Sequence, residues 1–570
     1  MSVIKHIPSY KLNIITITLC LTFTSLFFRL IYLQIKMGDL FSAKSEKNFS
    51  RTETLASPRG NILDIHGNLL ATNRPVYNMY WYGSGSYKLS ALQKKKIAKL
   101  SEIFGHNHFD TPSFIKKIEW AERTRKKIVL QKDINFEQLS QLEEAFSKEN
   151  ISIETSFKRY YPYNASASHI LGYLGRIDFN VTGKTGLEYM LENQLKGKQG
   201  QNITTINSLG RTLEKTTIAE AMAGKNIKTT LDIELQNIVE SVFPEDQVGV
   251  CIIMNSDNGS ILAITSRPNF DPNIFLSPIS QEDWNALQHK QPFLNRALYA
   301  QYPPGSVFKL IVTSAALEHE IITPESIWNC KGYITFKGRR YHCHERNGHG
   351  VLTVSQALEQ SCNPFFYDIG TKISIDTLSD YAHRFGLGEK TGMLFPERSG
   401  LVPNTKWKLD EKGEPWWPGE TLSVVLGQSY LLTTPIQIAR MIGSIFSGYL
   451  VTPRILADEP IEKKPLAIKP ETLDFIKQSM KKVVTQGTGK RISVIKDIEI
   501  YAKTSTAQTS ALSKRNKGKQ FREHGWFVAH FQYKQNEPLS LVVMVEHAGT
   551  SRIPTNIARK LLIRYKQLKN

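Results

Sequence analysis

The sequence predicts a multidomain α+β protein. It should carry an apolar N-terminal helix, a β-rich segment with a small helical subdomain, and a C-terminal domain in which an antiparallel sheet is packed with helices. Three observations predict this. A chain of 570 residues exceeds one ordinary domain. An uncharged run beginning at Leu12 is long enough to cross a bilayer. From about residue 226 onward, strand patterns at both ends bracket a long helical middle, the arrangement of a sheet with helices stacked on it.

Composition narrows the function classes. Apolar residues make up 41% of the chain, enough for sizeable cores. The net charge of +20 favours an anionic partner. No nucleic-acid-binding motif is present, so the basic balance points to membrane and anionic polymer. Five cysteines are too few for a disulfide scaffold.

In chain order, Lys5 and Lys11 precede the apolar stretch 12–35, which Arg29 interrupts at a position from which it can snorkel to an interface. No Ala-x-Ala follows, so the stretch reads as an uncleaved membrane helix behind a cytoplasmic tail, 1–11. Residues 58–71 read as strand, turn and strand, with His66-Gly67-Asn68 as the turn. Residues 88–150 read as lysine-rich amphipathic helices, and 183–189 lead into a helix and then strands. No catalytic constellation precedes about residue 225. A boundary near Gly224-Lys225-Asn226 separates a segment 36–225 from a domain 226–570. That domain opens with a strand leading into a helix over 227–236. A hairpin follows, turning at Asp257-Asn258-Gly259. Strands at 525–531 and 539–545 and a helix at about 555–566 close the chain.

The chemistry-bearing residues lie in this last domain. Pro303-Pro304-Gly305-Ser306-Val307-Phe308-Lys309 opens an apolar helix, so Ser306 sits near its first turn with Lys309 on the same face. A serine hydroxyl is inert until a neighbouring group takes its proton, and a helix start directs free N–H groups at a developing oxyanion. The spacing alone is weak, because Ser113/Lys116, Ser479/Lys482 and Ser493/Lys496 repeat it. Two further stretches add specificity: Ser361-Cys362-Asn363, and Lys503-Thr504-Ser505-Thr506 at the end of a strand-like run. S-x-x-K, S-x-N and K-T-x-T in that order resemble the penicilloyl serine transferases.

Pro58-Arg59-Gly60-Asn61-Ile62-Leu63-Asp64, running on to Leu70-Ala71, is similar to the R-G-x-I-x-D-x-x-G-x-x-L-A signature of class B penicillin-binding proteins. Gly183-Lys184-Thr185-Gly186-Leu187-Glu188-Tyr189 resembles the second signature of their non-catalytic pedestal, so the likeness covers essentially the whole chain. Asn347-Gly348-His349-Gly350, the run Gly413 to Thr421, Gly427-Gln428-Ser429-Tyr430 and Thr434-Pro435-Ile436-Gln437 match the elongation type, penicillin-binding protein 2.

This resemblance implies a serine-type D-Ala-D-Ala transpeptidase acting during cell-wall elongation and shape maintenance, with 36–225 as a pedestal or dimerisation-type domain. Ser306 is then the nucleophile and Lys309 its base. Ser361 and Asn363 relay protons and hold the donor amide, while Lys503 and Thr504 fix its carboxylate. The backbone N–H groups of Ser306 and Thr506 form the oxyanion hole. The chemistry needs no cofactor. Expected partners are peptidoglycan stem peptides on lipid II-derived glycan, β-lactams, a SEDS-family glycosyltransferase, other elongation-complex proteins and the membrane. The expected location is the inner membrane, single-pass, with the catalytic domain periplasmic. Ser505 stands where the family has glycine, beside the strand edge on which substrate lies. A serine pointing away leaves the site intact, whereas one pointing in weakens binding. The alternatives are a division-type enzyme, a penicillin-binding scaffold with weakened catalysis, and a D,D-carboxypeptidase or β-lactamase. For the last, no Glu-x-x-x-Asn follows Ser361 to activate water.

A second constellation is Cys330, Cys343, His349 and Cys362, with His342 and His344 in reserve. Residues 332–342 read as a hairpin turning at Lys337-Gly338, which brings Cys330 and Cys343 together. Three thiolates and an imidazole suit a closed structural zinc site. A Cys330–Cys343 disulfide in an oxidising compartment is the alternative, and both readings stay open.

Overall fold

The computed structural model describes residues 9–42, 50–105, 107–145, 151–177, 180–206, 212–289, 291–509 and 517–570. They fall into two compact units. One is drawn from 1–58, 74–158 and 197–223, the other from 59–73, 159–196 and 224–570.

In the first unit, the helix Ser9–Ile31 continues through a π-helical turn, Tyr32–Lys36. The stretch Tyr10–Lys36 has a mean hydropathy of 2.0 and is long and apolar enough to cross a membrane, which fits a single-pass anchor. Thr16, Thr18 and Thr24 return their hydroxyl hydrogens to carbonyls one turn back, so none presents an unsatisfied donor to its surroundings. Three antiparallel strands, Ser50–Leu55, Gly200–Ile206 and Thr212–Ala219, form one sheet.

A separate core gathers Met79, Trp81, Leu100, Phe109, Ile118 and Leu130. The expectation of helices over 88–150 holds for Ala91–Phe104, Pro112–Thr124 and Phe136–Ala145. It fails at Lys127–Ile134, a strand that pairs with the distal half of Leu69–Tyr82. There Ile128, Leu130 and Ile134 are buried, an alternation of period two that the surrounding lysines obscure. Residues 146–150 of that expectation lie outside the described residues.

The second unit is built on a five-stranded antiparallel sheet. Its strands are β1 (Gly249–Asn255), β2 (Ile261–Arg267), β3 (Ile498–Ala507), β4 (His524–Tyr533) and β5 (Leu539–Val545), in the order β2-β1-β5-β4-β3. Every residue of β1 and β5 is buried, because helices cover both faces. On one face lie α1 (Ile233–Val242) and the closing helix α6 (Arg552–Lys569), longer at both ends than the sequence indicates. The other face carries the larger core, with α2 (Lys309–Glu318), α3 (Asn363–Lys372), α4 (Pro435–Ser447) and α5 (Pro470–Thr485). As the last strand in the order, β3 has one edge with no sheet partner among the described residues.

The two pedestal signatures meet in this unit. Arg59 reaches Glu188 at 2.6 Å and Glu192 at 2.6 Å, Arg159 reaches Glu188 at 2.7 Å, and the Tyr161 hydroxyl donates to Glu188. Asp64 accepts from the backbone N–H groups of His66 and Asn68, which closes the expected turn. The signature residues are thus a buried ion network and a turn acceptor.

Candidate active site

Ser306 lies in a 3₁₀ turn, Gly305–Val307, that runs directly into α2. Gly305 has φ +55°, a conformation costly for any residue with a Cβ, and its N–H donates to the carbonyl of Gly427 at 2.9 Å. A Cβ on Gly427 would lie 2.1 Å from the Gly305 carbonyl oxygen, so these two backbones touch only because Gly427 bears no side chain. Trp526 on β4 donates its indole N–H to the carbonyl of Pro303 at 3.2 Å and holds the approach to the turn.

One turn on, Lys309 is fully buried. Its Nζ lies 2.9 Å from the Ser361 carbonyl, 2.8 Å from Asn363 Oδ1 and 3.2 Å from Ser361 Oγ. Burial pulls this amine down to about 7. Ser361 adopts a left-handed backbone, φ 54°, and Asn363 starts α3, so the S-x-N segment bends sharply to present both side chains to one amine. Lys503 on β3 is also fully buried; desolvation first, and then the Lys309 charge, depress it well below its ordinary value. Thr504 donates to Thr488 Oγ1 at 2.6 Å, while Thr506 is exposed with its Oγ1 accepting from the Ser551 N–H.

The three motifs, far apart in the chain, therefore converge. The Ser505 side chain does not point away: its Oγ accepts from the Ser306 N–H at 2.8 Å. Sequence reasoning missed Thr488 and Trp526, neither of which carries a motif. In the sequence Gly427 stands out only as part of the elongation-type run Gly427-Gln428-Ser429-Tyr430.

Cys330, Cys343, His349 and Cys362 place one ligand atom each within 4.8 Å of one another, and their thiols are free of disulfides. Two strand pairings produce this cluster. Tyr333–Phe336 pairs with Arg339–His342, the expected hairpin, and Ile327–Cys330 pairs with Gly350–Thr353, which sets Cys330 opposite Gly350 beside His349. Cys362 sits at the start of α3, inside the S-x-N motif. A hydrogen bond from Cys362 holds the Cys343 thiol far below the ordinary thiol range, and the Cys362 proton is correspondingly retained. Of the reserve ligands, His344 lies 3.9 Å from the Cys343 sulfur, and His342 is exposed at the hairpin end.

This arrangement, a serine at a helix start with a buried lysine, an S-x-N loop and a lysine-bearing edge strand, is the three-motif pattern of the penicilloyl serine transferases. The penicillin-binding protein transpeptidase domain model matches residues 249–562, and the penicillin-binding protein dimerisation domain model matches 54–229. The chain belongs to the penicillin-binding protein transpeptidase family, as a class B member of the penicillin-binding protein 2 type. It is 29% identical to the peptidoglycan D,D-transpeptidase MrdA of Salmonella typhimurium over 95% of this chain and 93% of that one. It resembles the penicillin-binding protein 2 of Helicobacter pylori, solved in complex with MreC, at TM-score 0.77 and 28% identity, covering 91% of this chain and 99% of that one. A chain from a peptidoglycan synthase complex that coordinates polymerization and crosslinking is similar at TM-score 0.75 and 28% identity, with 99% of each covered.

Proposed function

We propose that this protein is the elongation-type peptidoglycan D,D-transpeptidase of its cell, working through a Ser306 acyl-enzyme. The observation that carries the reading is the Lys309 amine, buried one turn from Ser306 and held between Ser361 and Asn363. A neutral amine has two hydrogens and one lone pair. The Ser361 carbonyl and Asn363 Oδ1 can only accept, so they take both hydrogens, and the lone pair that takes up a proton is left on the side of the Ser361 hydroxyl, 3.2 Å away.

In the proposed reaction the Ser306 hydroxyl attacks the carbonyl between the last two D-alanines of a stem peptide, and its proton passes to Lys309. The C–N bond breaks, the departing D-alanine amine takes up a proton relayed through Ser361, and an ester remains on Ser306. An amine of a neighbouring stem then attacks the ester and restores the hydroxyl. The free edge of β3 suits an extended peptide, which would place its terminal carboxylate near Lys503 and Thr504. That carboxylate would favour the charged form of Lys503 and so offset its desolvation. A β-lactam would acylate the same serine, with its ring amide as the bond broken.

Zinc fits the Cys330–Cys343–His349–Cys362 cluster as a structural ion: the three thiols are buried, His349 is half-buried, and all four donors lie mutually within reach of one tetrahedral centre. When bound it would contribute folding energy, and this chain's residues would then hold the S-x-N loop against α2. The family matches at 54–229 and 249–562 support 36–225 as pedestal and 226–570 as catalytic domain, with 59–73 and 159–196 grouping in space with the latter. The membrane helix would be in the inner membrane with the remainder periplasmic. Similarity along the whole chain to a member of a peptidoglycan synthase complex supports a SEDS-family glycosyltransferase and MreC-like elongation proteins as partners.

Intact-mass measurement after penicillin treatment tests the core of this reading. One covalent adduct is expected on the native chain and none on Ser306→Ala; an adduct persisting on the variant would remove Ser306 as the nucleophile.

A further inference from the structure

We propose that Ser505 is an internal stopper of the oxyanion hole: its hydroxyl oxygen occupies the Ser306 N–H in the resting enzyme and must be displaced before Ser306 is acylated. The inference rests on the Ser306 reading above and goes beyond it, since it assigns a rate-setting role to a residue outside the proton-transfer set.

A carbonyl attacked by Ser306 Oγ develops its negative charge within reach of the N–H of the same residue. That N–H already has an acceptor, the Ser505 Oγ at 2.8 Å. A single N–H directed at one oxygen has little left for a second, so a substrate oxygen and Ser505 Oγ compete for the same hydrogen.

Three observations show that the stopper is seated rather than passing. Ser505 is only 3% exposed, so water does not satisfy its hydroxyl in place of the Ser306 N–H. The side chain fits because Gly305 has none: a Cβ there would lie 2.3 Å from Ser505 Oγ and 3.1 Å from the Ala507 Cβ. The turn is also fixed from both sides, by the Gly305 N–H on the Gly427 carbonyl and by the Trp526 indole on the Pro303 carbonyl. Trp526 is the direct cross-strand neighbour of Ser505, so the residue that seats the turn and the residue that caps its donor share one register position. The turn therefore cannot slide away from Ser505. Release needs rotation of the serine side chain, and the freed N–H then meets the oxyanion.

The stopper taxes the covalent step and leaves the first encounter alone, because the non-covalent complex does not yet carry an oxyanion. Removing the oxygen should raise the acylation rate constant by about three- to tenfold, the worth of one ordinary hydrogen bond. The non-covalent dissociation constant should stay unchanged.

The test is stopped-flow acylation of the detergent-solubilised full chain by a fluorescent penicillin, resolved into the dissociation constant and the acylation rate constant. It is run on the native chain, Ser505→Ala and Ser505→Gly, with melting curves confirming that each variant is folded. Both variants are expected to acylate faster than the native chain at an unchanged dissociation constant. Ser505→Ala acylating at or below the native rate would overturn the proposal, as would acceleration by the glycine variant alone, which would make bulk rather than the oxygen the obstacle. Should one variant fail to fold, tighter binding of a boronic acid to the other, measured against the native chain, reads the same freed donor; equal or weaker binding overturns it. Labelling that survives Ser306→Ala in every background would instead overturn the parent reading, and so the two failures are distinguishable.

Discussion

Asn363 Oδ1 accepts a hydrogen bond from Lys309 Nζ at 2.8 Å, joining the half-buried first residue of α3 to the fully buried first residue of α2. Asn363 can only accept at this oxygen, so it orients the amine without competing for its lone pair. Asn363→Ala should therefore slow acylation by penicillin by about ten- to a hundredfold through misplacement of the base. Lys309→Ala should slow it by about a hundredfold or more. Single-turnover labelling checks both; a near-native rate for Lys309→Ala would remove it as the base.

In the proposed mechanism the neutral form of Lys309 is the competent one. Burial depresses the amine from its ordinary value to about 7, so its neutral fraction grows as pH rises through that region. The acylation rate should climb about tenfold per unit at pH well below 7 and level off above about 8. Stopped-flow rates between pH 5.5 and 9 measure this, and a profile flat through 7 would contradict the assignment.

The cysteine–histidine cluster forms only when two strand pairs and the start of α3 are in place, so the binding energy of the proposed zinc would be folding energy. Purified chain should hold about one zinc, lost on Cys362→Ser, and chelation should lower its melting temperature. Because Cys362 lies between Ser361 and Asn363, chelation should also slow acylation. The opposing outcome is a metal-free chain with a Cys330–Cys343 bridge, seen as a two-dalton increase on reduction. Elemental analysis with thiol counting decides.

Glu188 is fully buried and faces two guanidinium groups, Arg59 and Arg159. Its removal leaves the buried Arg159 uncompensated and Arg59 with Glu192 alone, so Glu188→Ala should cost about 3–5 kcal/mol of stability. Chemical denaturation of the solubilised chain measures the loss, and a cost below about 1 kcal/mol, the range of surface pairs, would contradict the network's role. Penicillin labelling of whatever fraction stays folded should persist, because the network lies outside the acylation site.

How legible the fold and site were depended on the range of the interaction. The turn at His66-Gly67-Asn68, the hairpin at Asp257-Asn258-Gly259 and the hairpin at Lys337-Gly338 are set by residues adjacent in the chain, and each forms where the local signals place it. The strand Lys127–Ile134 was not legible, since lysines line its exposed positions and its apolar face is defined only by a core assembled from distant helices. Thr488 was silent for a similar reason: its hydroxyl matters only because α5 delivers the following loop to β3.

By itself the sequence determined the one-turn spacing of Ser306 and Lys309, the order of the three motifs and which four thiol and imidazole side chains stand as a candidate cluster, because helix spacing and motif chemistry are local properties of the chain. Only the tertiary structure decided which way Ser505 faces. A strand residue points to one side or the other according to what the strand packs against, and here that is the glycine of a turn about 200 residues away in sequence, whose missing side chain leaves room for one hydroxyl on the Ser306 N–H.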